Sequence, residues 1–388
     1  MLNSLKIKRF RALEDFVVPK LGRVNLIVGK NNAGKSTVLE ALQIYADNGD
    51  PRLLETLAES HDEPSRLDWG ATPQPIYELP FASFFTGRVF PIGDEGIEIG
   101  EIDSNQRLII EHGYYVEWDE TATDETGEFF SRQRLKRVPK SEVEKAEEAP
   151  LIDALFIKKG ERLLGFRLDE RARLSRWSRG ALNTPYDLPC VAIPTGFISI
   201  NDLADEWDKI ALTEKQETVK EALRLIDSKF MDISFVRDER EDYRRYPDRS
   251  LTRTAKIKLE GQPMPVPLGS MGDGMLRVLQ IVLKVFAAQG GFLLIDEFEN
   301  GLHYSVQEKI WNLIFELAEQ LNIQVFATTH SWDCIESFST VAIKHQKSEG
   351  VLFRMGRSAR TSDHGKVIAT VFDENQLLNI TQADVEVR

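Results

Sequence analysis

At 388 residues the chain is long for one domain, so one large domain with insertions or two domains is expected, and 42% hydrophobic with 29% charged residues describes a globular chain with a sizeable core. A formal net charge of −13 argues against non-specific coating of nucleic acid, and two cysteines, Cys190 and Cys334, are too few for a disulfide framework or a four-thiolate zinc site. No apolar run approaches the roughly 18 residues of a membrane span, and the start MLNSLKIKRF lacks the apolar stretch of a signal peptide, so a soluble cytoplasmic protein without a membrane partner is the expectation.

Alternation of apolar and basic residues predicts strands over Leu5–Phe10 and Phe16–Val18, followed by a buried strand Val24–Val28 that ends at Gly29. Helical spacing of Val38, Leu39, Ala41, Leu42 and Tyr45 predicts a helix from Lys35, stopped by Asn48-Gly49-Asp50-Pro51. Residues 76–117 read as β-rich, with strands Ile97–Ile102 and Leu108–Tyr115 and Asn105 near the turn. Residues 118–150 are strongly charged and read as a solvated loop plus an exposed helix ended by Pro150. The stretch Ile200–Phe230 is helical by pattern, and 237–258 carries many arginines among acidic residues. The last third alternates: helix from Met275, strand Phe292–Ile295, helix from Val306, strand Ile323–Ala327.

Residues 29–36, GKNNAGKS, match G-x-x-x-x-G-K-[ST] in full. Gly29 and Gly34 let the backbone bend so that the N–H groups of Lys30, Asn31, Asn32 and Ala33 turn inward on phosphates. Lys35 reaches the β- and γ-phosphates, and Ser36, ahead of Thr37, offers its hydroxyl to Mg²⁺. The following helix adds the positive end of its dipole, so the segment reads as a nucleotide site. In FLLIDEFENGLH, four apolar residues precede Asp296 and Glu297, a buried strand ending in two carboxylates. Asp296 is the expected Mg²⁺ partner of Ser36, and Glu297 the residue that orients or deprotonates the attacking water. His330 stands at the end of the next strand, placed to contact the γ-phosphate or that water. The segment PLGSMGDGMLR, with Ser270, Gly272, Asp273 and Gly274 before an apolar helix, offers a second anion-binding helix start. Two phosphate-seeking segments on one chain make sense if each nucleotide lies between two subunits.

The ordered set GKNNAGKST, LGSMGDGMLR, LLIDEFENGLH and ATTHS resembles the ABC-type ATPases of the RecF and SMC group, and within it the OLD (overcoming lysogenization defect) ATPases, many of which serve anti-phage defence. LKIKRFRALEDF, LADEWDKIALTEKQETVKEALRLID, GLHYSVQEKIW and the ending VEVR add to the likeness, which spans nearly the whole chain. The resemblance implies an α/β P-loop NTPase of ABC type with a β-rich and a helical insertion. It implies ATP on Gly29–Thr37, Mg²⁺ on Ser36 and Asp296, Glu297 as catalytic base, His330 as switch histidine, and Ser270, Gly272, Asp273 and Gly274 completing the partner's site. The expected units are 1–140, with the phosphate loop and β-rich insertion; 141–260, mainly helical and charged; and 261–388, with signature, acidic pair and histidine.

Two departures qualify the likeness. The signature is LGSMGDG rather than the transporter form LSGGQ, and residues 331–388 hold no D-x-D of the kind a Toprim nuclease needs. Nuclease chemistry in cis is therefore not expected. The expectation is a head-to-tail homodimer, or higher homo-oligomer, hydrolysing ATP as sensor or scaffold of a defence complex with a separate effector, a Toprim-type nuclease. The alternative is a DNA-repair or recombination ATPase regulated by DNA. Gln106 is the one candidate for a Q-loop glutamine. Arg171, Arg173, Arg176 and Arg179, and Arg244, Arg245, Arg249 and Arg253, form clusters that read either as DNA or acidic-partner surfaces or as neutralised solvated faces, with Trp177, Tyr243 and Tyr246 nearby.

Overall fold

Apolar residues that alternate or run unbroken decide where strands can be buried, and the two patterns build two different sheets. The computed structural model describes residues 1–63, 66–68, 76–78, 80–123, 129–138, 140, 143, 150–168, 188–237, 253–345, 349–363, 365–372 and 376. The first sheet is antiparallel. β1 (Leu5–Phe10) and β2 (Leu13–Val18) form a hairpin with Leu5 opposite Val18. Between this hairpin and the rest of the sheet the chain makes β3 (Val24–Val28), then α1 (Lys35–Ala46) and α2 (Pro51–Ser60), whose cap Asp50 accepts from Arg52 N. A short pair, β4 (Arg66–Asp68) and β5 (Ile76–Glu78), follows. β6 (Ile97–Gly100), β7 (Leu108–Thr123), β8 (Phe129–Val138), β9 (Leu151–Lys159) and β10 (Arg162–Arg167) complete the sheet in the order β10-β9-β7-β6-β1-β2, with β8 on β7.

The second sheet positions the site. After β11 (Cys190–Ile193) come α3 (Ile200–Ile210), α4 (Glu214–Arg224), and the small sheet of β12 (Phe230–Arg237), β13 (Arg253–Leu259) and β14 (Val266–Pro267). α5 (Asp273–Ala287), β15 (Phe292–Ile295), α6 (Tyr304–Gln320), β16 (Gln324–Thr329), α7 (Trp332–Lys344), β17 (Gly350–Arg357) and β18 (Val367–Phe372) finish the described chain. The sheet order is β11-β15-β16-β3-β17-β18, with every neighbouring pair parallel except β17–β18. β3, β15 and β16 are buried at each residue, as strands covered on both faces must be. Successive side chains enter opposite cores. Leu26, Leu293, Ile295, Val325 and Ala327 pack with α3 to α7, whereas Ile27, Phe292, Leu294 and Phe326 pack with α1 and the first sheet.

Several expectations are corrected. The expected loop is corrected over 118–123 and 129–138, where β7 runs to Thr123 and β8 covers Phe129–Val138 with Arg134, Leu135, Lys136 and Arg137 exposed, while the expected helix before Pro150 falls almost wholly outside the described residues. Charged residues exposed in succession along a strand leave no alternation of burial, so their charge reads as loop. The helical stretch 200–230 is two helices, broken at Leu212, which adopts φ 63°, and Phe230 already begins β12. Residues 141–260 are therefore not mainly helical where described, since β9 and β10 belong to the first sheet and β11 to the second. β17 and β18 were not foreseen. The arginines of both clusters lie outside the described residues except Arg253, which is paired with Asp208 at 2.6 Å. Both cysteines are free, Cys334 fully buried and the Cys190 thiol pushed up to about 12 by burial. Among the described residues no helix is long and apolar enough to cross a membrane.

Gly291 is where β11 and β15 come together. A Cβ there would overlap the Pro189 carbonyl, which accepts from Phe292 N at 2.7 Å, while Gly291 O accepts from Gln324 N at 2.9 Å. Gly291→Ala is expected to lower the unfolding free energy by about 1–3 kcal/mol. Urea unfolding measures this, and an unchanged midpoint would contradict the close approach.

Candidate nucleotide-binding site

Parallel register brings four strand ends to one edge of the sheet, β11 and β15 ending level with each other and β16 and β3 level two residues farther on. Ile193 is opposite Ile295, Ile295 opposite Ala327, and Thr329 opposite Val28. Thr195, Asp296 and Gly29, which follow their strands, and Thr328 near the end of β16 therefore lie at one edge of the sheet, where open α/β sheets bind ligands.

The phosphate turn is built on backbone conformations that glycine favours. Gly34 caps α1 with φ 93°, and Asn32 joins it in the left-handed region at φ 61°. Gly29 has a second reason to lack a side chain, since a Cβ would come 2.6 Å from Met355 O. Lys30, Asn31, Asn32 and Ser36 are exposed, Ala33, Gly34 and Thr37 partly so, and Lys35 is buried. Lys35 Nζ donates to Gly29 O at 2.9 Å and to Lys30 O at 3.3 Å, so its ammonium is aimed along the turn. Burial lowers its pKa, against the attraction of Asp296, Glu297 and Glu299. An anion beside Nζ relieves that burial cost by pairing the charge.

Asp296 is the hub. Ser36 Oγ donates to its carboxylate at 3.0 Å, Thr195 Oγ1 at 3.3 Å and Thr328 Oγ1 at 2.6 Å. The same Thr328 oxygen accepts from Glu297 N at 2.8 Å. Glu297 has φ 46°, a left-handed conformation that costs a non-glycine residue of the order of 1 kcal/mol. It is held there from both sides, because Arg277 Nη2 donates to Glu297 O at 2.9 Å and to Asp296 O at 2.7 Å. Arg277 Nη1 also donates to Pro194 O at 2.8 Å. This guanidinium is fully buried, its pKa lowered by desolvation, and it belongs to the helix that the signature segment starts.

His330 is exposed, and its Nδ1 lies 3.8 Å from Glu297 Oε1 but 3.1 Å from Glu299 Oε1, which also accepts from His330 N at 3.0 Å. Ser270, Gly272 and Asp273 are exposed at the start of α5, Gly272 with φ 83°. Gly274 packs on Gly301, whose carbonyl a Cβ would meet at 3.0 Å. Among the described residues no hydrogen bond joins Ser270 or Asp273 to the chain's own phosphate turn. Gln106 lies elsewhere, in the β6–β7 loop with its amide against Gly160 at the β9–β10 turn.

Sequence reasoning thus named Ser36, Asp296, Glu297 and His330, which the fold assembles, and missed Thr195, Arg277, Glu299 and Thr328. Thr328 had a signal, a hydroxyl at the end of an apolar strand, and Arg277 another, a charge inside the apolar run MLRVLQIVL. The hydroxyl of Ser36 and the carboxylate of Asp296 are hard oxygens on one patch, a donor set that fits Mg²⁺ shared with phosphates. Among the described residues no group of three His, Cys, Asp or Glu side chains offers a different metal site.

An ATP/GTP phosphatase of Helicobacter pylori is 23% identical over 366 residues, spanning 88% of each chain. An OLD nuclease of Thermus scotoductus is 45% identical over 53 residues, 14% of this chain and 10% of that one. Among solved structures, an Smc head domain with an extended coiled coil, bound to the C-terminal domain of ScpA from Pyrococcus furiosus, aligns over 99% of both chains at 12% identity and a TM-score of 0.47. An SmcHead bound to the C-winged helix domain of ScpA aligns over 96% of this chain and 98% of that one, at 14% identity and a TM-score of 0.44. A family model described as "AAA domain, putative AbiEii toxin, Type IV TA system" matches residues 24–333, the stretch from β3 through the phosphate turn, signature segment and acidic pair to His330. The chain belongs to that family and is a P-loop ATPase with an α/β fold.

Proposed function

We propose that the chain binds ATP on Gly29–Thr37 and hydrolyses it between two copies arranged head to tail, as sensor or scaffold of a bacterial anti-phage defence complex whose nuclease effector is a separate polypeptide. The observation that carries the reading is the convergence of Lys35, Ser36, Asp296, Glu297 and His330 at one sheet edge, with the signature segment exposed and unbonded to the same turn. In this reading Lys35 pairs with the β- and γ-phosphates, and Ser36 and Asp296 hold Mg²⁺, which when bound neutralises charge on the phosphate oxygens. Glu297 orients the attacking water and accepts its proton. His330, set by Glu299, faces the γ-phosphate. Ser270, Gly272, Asp273 and Gly274 of a second copy close the site, so ATP favours the closed pair and hydrolysis releases it.

The defence role is supported by the family description, which names a putative toxin of a type IV system, and by the local likeness to an OLD nuclease. Purification of Glu297→Gln with ATP, Mg²⁺ and the products of its neighbouring genes tests it. A discrete complex with a second polypeptide is expected; a bare dimer, together with a wild-type ATPase that responds to DNA, would overturn the scaffold reading in favour of a DNA-directed one.

Glu297→Gln is expected to keep nucleotide binding and slow hydrolysis by on the order of 10²–10⁴, the usual worth of a positioned base. Single-turnover kinetics measure this, and a wild-type rate would remove Glu297 from the chemistry. Thr328→Val deletes both the donor to Asp296 and the acceptor for Glu297 N. It is expected to reduce Mg²⁺-dependent turnover about 10–100-fold, the scale seen when a ligand's supporting hydrogen bond is lost, and turnover within twofold of wild type would contradict its positioning role.

A further inference from the structure

Beside the phosphate turn lies a cavity of about 560 Å³, within the range of small-molecule sites. One wall is the turn itself, from Lys30 to Ala33, and the floor is the β17–β18 hairpin. Register explains the floor. Arg354 is opposite Thr370 and Gly356 opposite Ile368, so these four residues share one face of the pair, while Met355 points the other way and is buried.

Gly356 is the telling residue. Its φ is not in the left-handed range, and a Cβ built on it would meet nothing within 4 Å. Neither turn geometry nor close packing requires glycine there; its effect is to leave the floor open. Ile368, directly across, is 43% exposed, an apolar side chain with no cover. The basic residues Lys30, Arg354 and Arg357 line the cavity and, among the described residues, no acidic one does, in a chain of net charge −13.

A nucleotide whose phosphates fill the turn must send its nucleoside out on one side. The side toward β15 and β16 is taken by Asp296 and its hydroxyl partners, with Glu297 and His330. We infer that the nucleoside of the bound nucleoside triphosphate lies in the cavity between the phosphate turn and the β17–β18 hairpin, its base over Gly356 against Ile368. The basic rim complements the polyphosphate it adjoins. Neither hairpin strand belongs to the phosphate-turn, signature or acidic-pair motifs, so the hairpin supplies the affinity that distinguishes a nucleotide from a bare polyphosphate. This inference rests on the phosphate-turn reading above.

The test compares ATP with inorganic tripolyphosphate by isothermal titration in the presence of Mg²⁺. Gly356→Leu fills the floor, and is expected to weaken ATP binding at least about tenfold, a loss of about 1.4 kcal/mol, while tripolyphosphate binds as to wild type. Ile368→Ser, at an exposed position that does not threaten folding, is expected to weaken ATP in the same selective way but less. Wild-type ATP affinity in both variants would overturn the inference, as would equal loss of ATP and tripolyphosphate in both. Equal affinity of the unmodified protein for ATP and tripolyphosphate would overturn it while leaving the phosphate turn intact. Binding of neither would overturn the phosphate-turn reading as well.

Discussion

The site depends on the register of parallel strands. Because Ile193, Ile295 and Ala327 are neighbours across β11, β15 and β16, and Thr329 meets Val28 on β3, residues far apart in sequence leave the sheet side by side. A slip of one residue in any pair would turn Asp296 or Thr328 to the other face, since side chains alternate along a strand. The unbroken burial of β3, β15 and β16 prevents that slip, because each strand would exchange its two cores. Packing fixes register, and register delivers three hydroxyls to one carboxylate.

Arg277 carries this arrangement to the signature segment. A buried guanidinium is costly unless its donors are used, and here three hydrogen bonds go to main-chain carbonyls at the ends of β11 and β15. The helix bearing it begins at Asp273. The helix that starts at the signature segment thus also carries the side chain that holds the backbone of Glu297, a residue in a strained conformation. Such a connection would suit the head-to-tail pair proposed above.

What the sequence made legible follows from how local each requirement is. The phosphate turn must be contiguous, because consecutive N–H groups converge on one anion, so GKNNAGKS could be read directly. The strand Phe292–Ile295 and its two carboxylates are likewise contiguous. Thr195, Arg277 and Glu299 have no such signature; they act through neighbours that only the sheet supplies. His330 was named from its place at a strand end, but its nearest carboxylate, Glu299, depends on how the segment after β15 turns. β8 was hidden for the opposite reason, since the successive exposed residues Arg134 to Arg137 leave no alternation to read. The β17–β18 floor escaped because an empty space over Gly356 leaves no pattern of side chains to read.

The central claim is that a working site needs the phosphate turn of one copy and the signature segment of another. Mixing two individually inactive proteins, Lys35→Ala and Ser270→Arg, tests it most directly. The account predicts that ATPase activity returns on mixing, since a mixed pair holds one site with an intact turn and an intact signature. Mixtures as inactive as their parts, with dimers shown to exchange subunits, would contradict it.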